Sequence, residues 1–359
     1  MNKSLFAKKI IAWYEENKRS LPWRETKDPY KIWLSEVILQ QTRVAQGLQY
    51  YHRFVEQYQT VKSLALAKEQ DVLRLWQGLG YYTRARNLYK GARKVVDEYK
   101  GIFPNTFSEL QKIPGIGSYT AAAIASFSFR EKVAVVDGNV FRVLARTFGI
   151  DQDILSNQGK AIFSKLANEL ISHESPDLFN QAMMEFGALQ CIPKNPPCEI
   201  CIFKKQCFAY AHNLQSSLPV KNKKPKVRNR YFHYVVITRG KRLMMRQRGE
   251  KDIWQGLHDF YLIETAKPSD IGKLVKKHGA LKKIKNSVWG ASSNVYKHIL
   301  SHQTLYASFI ILELDAKSSP DQALPDPAVY KFYPLSKIAA LPKPVLISRF
   351  LEDYGYLKK

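Results

Sequence analysis

Through roughly the first 218 residues, apolar side chains recur at helical spacing, as in Ala121-Ala122-Ala123-Ile124-Ala125 and in Ile162 and Phe163 with Leu166 and Leu170. That pattern predicts an all-helical first part. It stops at residues 219–230, which carry basic residues throughout, two prolines and no acid, and so cannot pack a core. This stretch reads as a linker able to lie along phosphates. Beyond it the period falls to two. Tyr231 to Thr238 is aromatic and β-branched, Arg239-Gly240-Lys241 can turn, and Leu243 to Arg246 can return as a second strand. Ser301 to Leu314 alternates in the same way. The predicted fold is multidomain: an all-α domain over 1–218, a linker, and a smaller α+β domain over 231–359.

A chain of 359 residues is long enough for two domains, each with its own core. The formal net charge of +25 calls for a polyanionic partner, nucleic acid or an acidic membrane face, although a generically basic surface also accounts for charge alone. No apolar segment is long enough to span a bilayer, and Met1 to Ile10 is amphipathic rather than signal-like. Nucleic acid in the cytoplasm is therefore the expected partner, with no membrane and a monomer as the simplest state. All four cysteines lie in one stretch, Cys191, Cys198, Cys201 and Cys207, spaced Cys-x6-Cys-x2-Cys-x5-Cys. Four thiolates on short loops suit an iron–sulfur cluster or a zinc ion, and ligand type alone does not choose between them.

Three short segments carry candidate chemistry. Pro114, Gly115 and Gly117 stand between two helical stretches, where glycines permit a tight turn and leave N–H groups at the next helix start to hold an anion. Asp137 ends the apolar run from Val133 to Val136 and stands where a helix begins. An N-cap role accounts for an aspartate there; the same backbone donors would also keep a working carboxylate ionised and fixed in direction. Glu36 sits among Trp33, Leu34, Val37, Ile38 and Leu39. It lies either on the wet face of its helix or buried, and burial predicts a raised pKa and a protonated acid near neutral pH.

Taken together, the glycine hairpin, the segment Val136-Asp137-Gly138-Asn139-Val140 with Arg142, and the four-cysteine loop resemble the helix-hairpin-helix base-excision glycosylases that carry a [4Fe–4S] cluster, such as endonuclease III. Leu21-Pro-Trp-Arg24, Ser35 to Thr42 and Gln77 to Asn87 are similar specifically to the MutY-type adenine DNA glycosylases. The resemblance implies a six-helix-barrel part at about 22–132 and a cluster-bearing part from 1–21 and 133–218. It also implies excision of adenine opposite 8-oxoguanine or guanine in duplex DNA, with the four cysteines holding the cluster. In bifunctional relatives a lysine stands two residues after the second hairpin glycine; Tyr119 stands there in this chain, and a phenol forms no Schiff base. A monofunctional glycosylase is expected. The alternatives are a bifunctional endonuclease III-like glycosylase and AP lyase, or a non-catalytic, metal-stabilised DNA-binding protein.

By the same resemblance the adenine is flipped into a pocket, Gln41 and Tyr81 wedge into the stack, and Gly115 and Gly117 hold a phosphate. Tyr81 could equally be core. Glu36 would protonate the base at N7, Asp137 would stabilise the sugar cation, Tyr119 and Asn139 would position and polarise, and Arg24 would orient Glu36. Lys194, Lys204 and Lys205 either face phosphate or are ordinary solvated charges. Residues 231–359 resemble the family's Nudix-like domain, with Trp254 to Phe260 matching an aromatic core segment. A catalytic Nudix enzyme needs a glutamate cluster for magnesium, and Ala266 to Lys285 holds a single acid, Asp270, so no nucleotide hydrolysis is expected. The family's Phe-Ser-His loop, which contacts 8-oxoguanine, reads Leu300-Ser301-His302 here, and the change at Leu300 weakens the wedge part of that assignment. His302 could also be a plain strand-end residue.

Overall fold

A computed structural model describes residues 3–222, 227–250, 252–282, 284, 287–300, 302–315, 326 and 328–358. Two compact units result: Met1–Leu66 with Asn87–Lys224, and Ala67–Arg86 with Pro225–Lys359. The stretch Ala67–Arg86 thus groups with the second unit, although its sequence reads as part of the helical domain. Hydrogen bonds show why. Arg86 Nη1 donates to the Gln255 carbonyl at 2.8 Å, and Gln70 Nε2 donates to the Gly256 carbonyl at 3.2 Å.

In the first unit, four helices place the candidate chemistry. Helix Pro29–Leu39 starts on Asp28, whose side chain accepts the Tyr30 N–H, with proline preset for the first turn. It is buried almost all round, so Glu36 is carried into the interior with Trp33 and Ile38. Helix Ser118–Phe129 follows the hairpin and is buried continuously from Thr120 to Phe127. Gly115 adopts φ 81°, and a Cβ there would meet Asn87 Cβ at 2.7 Å, so the turn requires glycine on both counts. Helix Gly138–Phe148 is capped by Asp137 and ends on Gly149 in the left-handed region. Helix Pro176–Leu189 packs against both it and the N-terminal helix Lys3–Asn17. The surrounding core joins Phe6, Phe163, Phe179 and Phe186 to Phe203 of the cysteine loop, and Phe6 stacks on Phe203 at 4.7 Å. Burying one such ring stabilises by roughly 1.5–3 kcal/mol, enough to anchor a loop otherwise poor in apolar residues.

The second unit is built on a mixed eight-stranded sheet: β1 (Arg228–Arg239), β2 (Arg242–Gln247), β3 (His258–Asp259), β4 (Tyr261–Thr265), β5 (Ser287–Ser292), β6 (Tyr296–Ile299), β7 (Gln303–Leu314) and β8 (Tyr330–Pro334). The expected β1–β2 hairpin is present, with Gly240 at φ 54° in its turn. β1 starts three residues earlier than its alternation suggests, because Arg228 to Arg230 pair with Gln303 to Leu305 of β7. That pairing is parallel along all of β1 and forms the centre of the sheet. Helix Ile271–Lys277 buries Ile271 and Val275 with Val235 and Ile237 of one face, and helix Val345–Asp353 stacks Phe350 on Phe309 of β7 at 4.1 Å. Sheet and flanking helices make up the expected α+β fold of the second domain.

Candidate active site

Within the first unit, Glu36, Tyr119, Asp137, Asn139 and Arg24 line one cavity of about 640 Å³. A neighbouring cavity of about 430 Å³ shares Glu36, Tyr119 and Asp137 and is also lined by Gln41. The two carboxyl groups therefore face both cavities. Gln41 is held at φ 56°, an uncommon conformation for a residue with a side chain and one that concentrates at functional sites.

The environments of these acids differ in kind. Glu36 is 6 % exposed, and burial pushes its pKa up to about 7. The Asp137 charge adds to that rise, while a hydrogen bond from Tyr119 and the charge of Arg24 oppose it. A carboxyl near 7 is half protonated at neutral pH and can give a proton and take one back. Tyr119 is shifted well above 10, first by burial and then by the two carboxylates, so it remains a phenol. Asp137 accepts the Asn139 and Val140 N–H groups on Oδ1, both at 2.8 Å, and the Asn139 amide on Oδ2 at 2.8 Å. These are the expected cap donors, and they lower its pKa. Burial outweighs them, so the net direction is upward rather than the cap-lowered value the sequence suggests.

Arg24 lines the same cavity. Its hydrogen bonds go to Glu185, Nη1 to Oε1 at 2.9 Å and Nη2 to Oε2 at 2.7 Å, and to the Arg19 carbonyl at 3.1 Å. Its influence on Glu36 is through charge, not through a direct orienting bond. Arg19 grips the same carboxylate, with Nε to Oε1 at 2.8 Å and Nη2 to Oε2 at 2.6 Å. Burial alone would raise the Glu185 pKa; the two guanidinium groups overcome it and hold the carboxyl at about 2.

Helix Gly138–Phe148 links this site to the cysteine loop. Arg142 Nη2 donates to Asn139 Oδ1 at 2.8 Å, and its Nε donates to the Cys191 carbonyl at 2.7 Å. One turn later Arg146 donates to Cys191 Sγ at 3.5 Å and to the carbonyls of Ile192, Pro193 and Leu218. The Phe203 N–H reaches Cys201 Sγ at 3.4 Å. All four thiols are free and half-buried, and burial followed by their mutual charge raises Cys201 to about 11. Among the described residues no three His, Cys, Asp or Glu side chains converge as a site for a single metal ion. Lys204 is engaged by Glu199 and stands 5.6 Å from the Tyr210 ring.

In the second unit, Leu79, Tyr81, Trp254, Leu300 and His302 line a cleft of about 440 Å³. Tyr81 is 42 % exposed at φ 49°, so it is a presented ring rather than core. Arg84 supports it from 5.6 Å. Ser301 lies outside the described residues.

The chain matches two family models: the HhH-GPD superfamily base excision DNA repair protein over residues 34–169, and the NUDIX domain over residues 233–353. It is 36 % identical to the adenine DNA glycosylase of Buchnera aphidicola subsp. Baizongia pistaciae (strain Bp), across 85 % of each chain. It is 43 % identical to the adenine DNA glycosylase of Homo sapiens over 57 % of this chain and 39 % of that one. This chain belongs to the adenine DNA glycosylase family. It is accordingly a base-excision glycosylase with a Nudix-like second domain. A thermostable thymine-DNA glycosylase is similar in structure, with TM-score 0.55 and 30 % identity over 58 % of this chain and 97 % of that one. An endonuclease III–DNA covalent intermediate shares the fold at TM-score 0.51 and 22 % identity, over 60 % and 99 % of the two chains.

Within this family site, sequence reasoning passed over Arg19, Glu185 and Gly187. Glu185 carried the same signal as Glu36, an acid among apolar neighbours, beside Met183, Met184 and Phe186. Gly187 has no side chain to reveal its role; a Cβ there would meet Asn139 Cβ at 2.5 Å, so the cap of Asp137 depends on its absence.

Proposed function

We propose that this glycosylase removes adenine opposite 8-oxoguanine or guanine from duplex DNA, acting as a monomer and leaving an abasic strand uncut. The observation that carries the reading is the pair of unlike carboxyl groups, Glu36 and Asp137, on one cavity with the Tyr119 phenol beside them. The adenine enters the larger cavity, and protonated Glu36 gives its proton to N7. The C1′–N9 bond breaks with its electrons going to the base, and Asp137, whose carboxylate form the Asn139 and Val140 N–H groups favour, offsets the positive charge left on the sugar. Glu36, now a carboxylate, takes a proton from the water that attacks C1′. Tyr119 and Asn139 orient the two carboxyl groups through hydrogen bonds. With a phenol at residue 119 no Schiff base forms, and no strand cleavage follows. The cleft carrying Tyr81, Leu300 and His302 suits the base opposite.

Cys191, Cys198, Cys201 and Cys207 would hold a [4Fe–4S] cluster. Four free thiols within one loop fit that group, and Arg146 and the Phe203 N–H already point at two of the sulfurs. When bound, the cluster supplies a cross-link for the loop. Adenine release from duplexes with A opposite 8-oxoguanine, G, C or T, with and without alkali, tests the activity. Release opposite the first two, with breaks only after alkali, is expected; a borohydride-trapped protein–DNA adduct would overturn the monofunctional reading. Four irons and four sulfides per chain, with a visible thiolate-to-iron band, are expected of the purified protein, and bound zinc would replace that assignment.

A further inference from the structure

Both ends of the loop Gly78–Thr83, one wall of the 440 Å³ cleft, are fastened by side chains of the second unit. At its start, Gln77 Oε1 accepts the Lys343 N–H at 3.2 Å, and Gln77 Nε2 donates to Ser348 Oγ at 3.1 Å. Those partners flank the start of helix Val345–Asp353, and Val345 also lines the cleft. Just past the loop's end, Arg86 is 7 % exposed and donates to the Gln255 carbonyl at 2.8 Å and to Thr83 Oγ1 at 2.9 Å. Gln255 follows Ile253 and Trp254, which also line the cleft.

The loop between these ties holds an uncommon backbone. Gly78 and Gly80 have φ 105° and 73°, and Tyr81, with a full side chain, has φ 49°. A left-handed tyrosine is strained and persists only where its surroundings over-determine it. Gln77 and Arg86 tie the loop from outside the cleft, and Trp76 Nε1, which donates to the Gly80 carbonyl at 2.9 Å, adds a tie beside them. A binding wall held in advance loses less on occupancy and separates closely similar ligands better than one that must be ordered each time.

We infer that Gln77 and Arg86 are positioning residues that set the spacing of the cleft walls, and thereby how strongly the enzyme distinguishes 8-oxoguanine from guanine opposite the adenine. The inference rests on the reading of this cleft as the opposite-base site. Gln77 is the sharper probe, since the atoms it binds, Lys343 N and Ser348 Oγ, belong to residues that do not line the cleft. Excision is measured in single turnover on duplexes with A opposite 8-oxoguanine and opposite G, for the wild type, Gln77→Ala, Ser348→Ala and the double variant. Gln77→Ala is expected to lower the ratio of the two rates about three- to tenfold, with the rate opposite G changed no more than about twofold. Ser348→Ala lowers the ratio less, and the double variant goes no further than Gln77→Ala, because the Ser348 bond is already lost with the Gln77 side chain. An unchanged ratio, or equal losses on both duplexes with a lowered Tm, overturns the inference. A wild type that releases adenine equally from both duplexes removes the opposite-base reading itself, and the inference with it.

Discussion

Two glutamates are buried at the larger cavity, and the protein treats them in opposite ways. Glu36 has a phenol and a second carboxyl near it and feels Arg24 through charge alone, and its pKa stands at about 7. Glu185 is gripped by two guanidinium groups and stands at about 2. Exposure does not separate them, at 6 % and 1 %. Cation hydrogen bonds do, because a buried carboxylate with paired donors is held ionised while one without them favours its proton. Glu36 can thereby give a proton near neutral pH, whereas Glu185 stays in a fixed ion pair that directs Arg24.

The largest test of that contrast is Glu36→Gln. Base release should fall by about 10²–10⁴-fold, the usual contribution of a general acid, while DNA affinity survives because it rests on phosphate contacts. Single-turnover excision and a binding titration on the same duplex separate the two, and near-normal excision would remove Glu36 from the role. Next comes Glu185→Gln, which leaves two guanidinium groups without their carboxylate; a loss of about 3 kcal/mol in denaturant unfolding is expected, at the low end for a broken buried pair because Arg19 keeps some solvent.

The smallest effect, and the sharpest on the comparison, is in pH dependence. With Glu36 as the proposed general acid, kcat/KM should fall about tenfold per pH unit as pH rises above about 7. Glu185 has a depressed folded pKa, so its stabilisation is complete above the ordinary glutamate value of 4.5 and is lost as pH falls toward about 2. Unfolding measured between pH 6 and 3 should show that dependence in the wild type and lose part of it in Glu185→Gln. A basic limb that survives in Glu36→Gln would assign the pH-sensitive proton elsewhere.

Local chemistry made much of the site legible. The cap at Asp137 follows from an aspartate before Gly-Asn-Val, the hairpin from its glycines, and the absence of a lysine at Tyr119 from one position. The change of period at the linker marked the α+β domain. Arg24 was recognised by its motif yet placed on the wrong partner, since Glu185 lies 161 residues away and only folding brings them together. Alternation revealed β1 and β7 but not that they run parallel, because a period of two encodes which face is buried and not which neighbour lies alongside. Residues 67–86 look helical from within, and nothing local in them specifies the carbonyls of Gln255 and Gly256 as their partners.

By itself, then, the amino-acid order determined the elements, the capped aspartate, the gathered thiols and a phenol in place of an amine, since each depends on near neighbours along the chain. Tertiary structure alone decided which buried acid keeps its proton, which arginines pair with which carboxylate, and which unit holds the loop of Tyr81. Those outcomes depend on desolvation and on charges brought close from distant parts of the chain, and both exist only once the chain has folded.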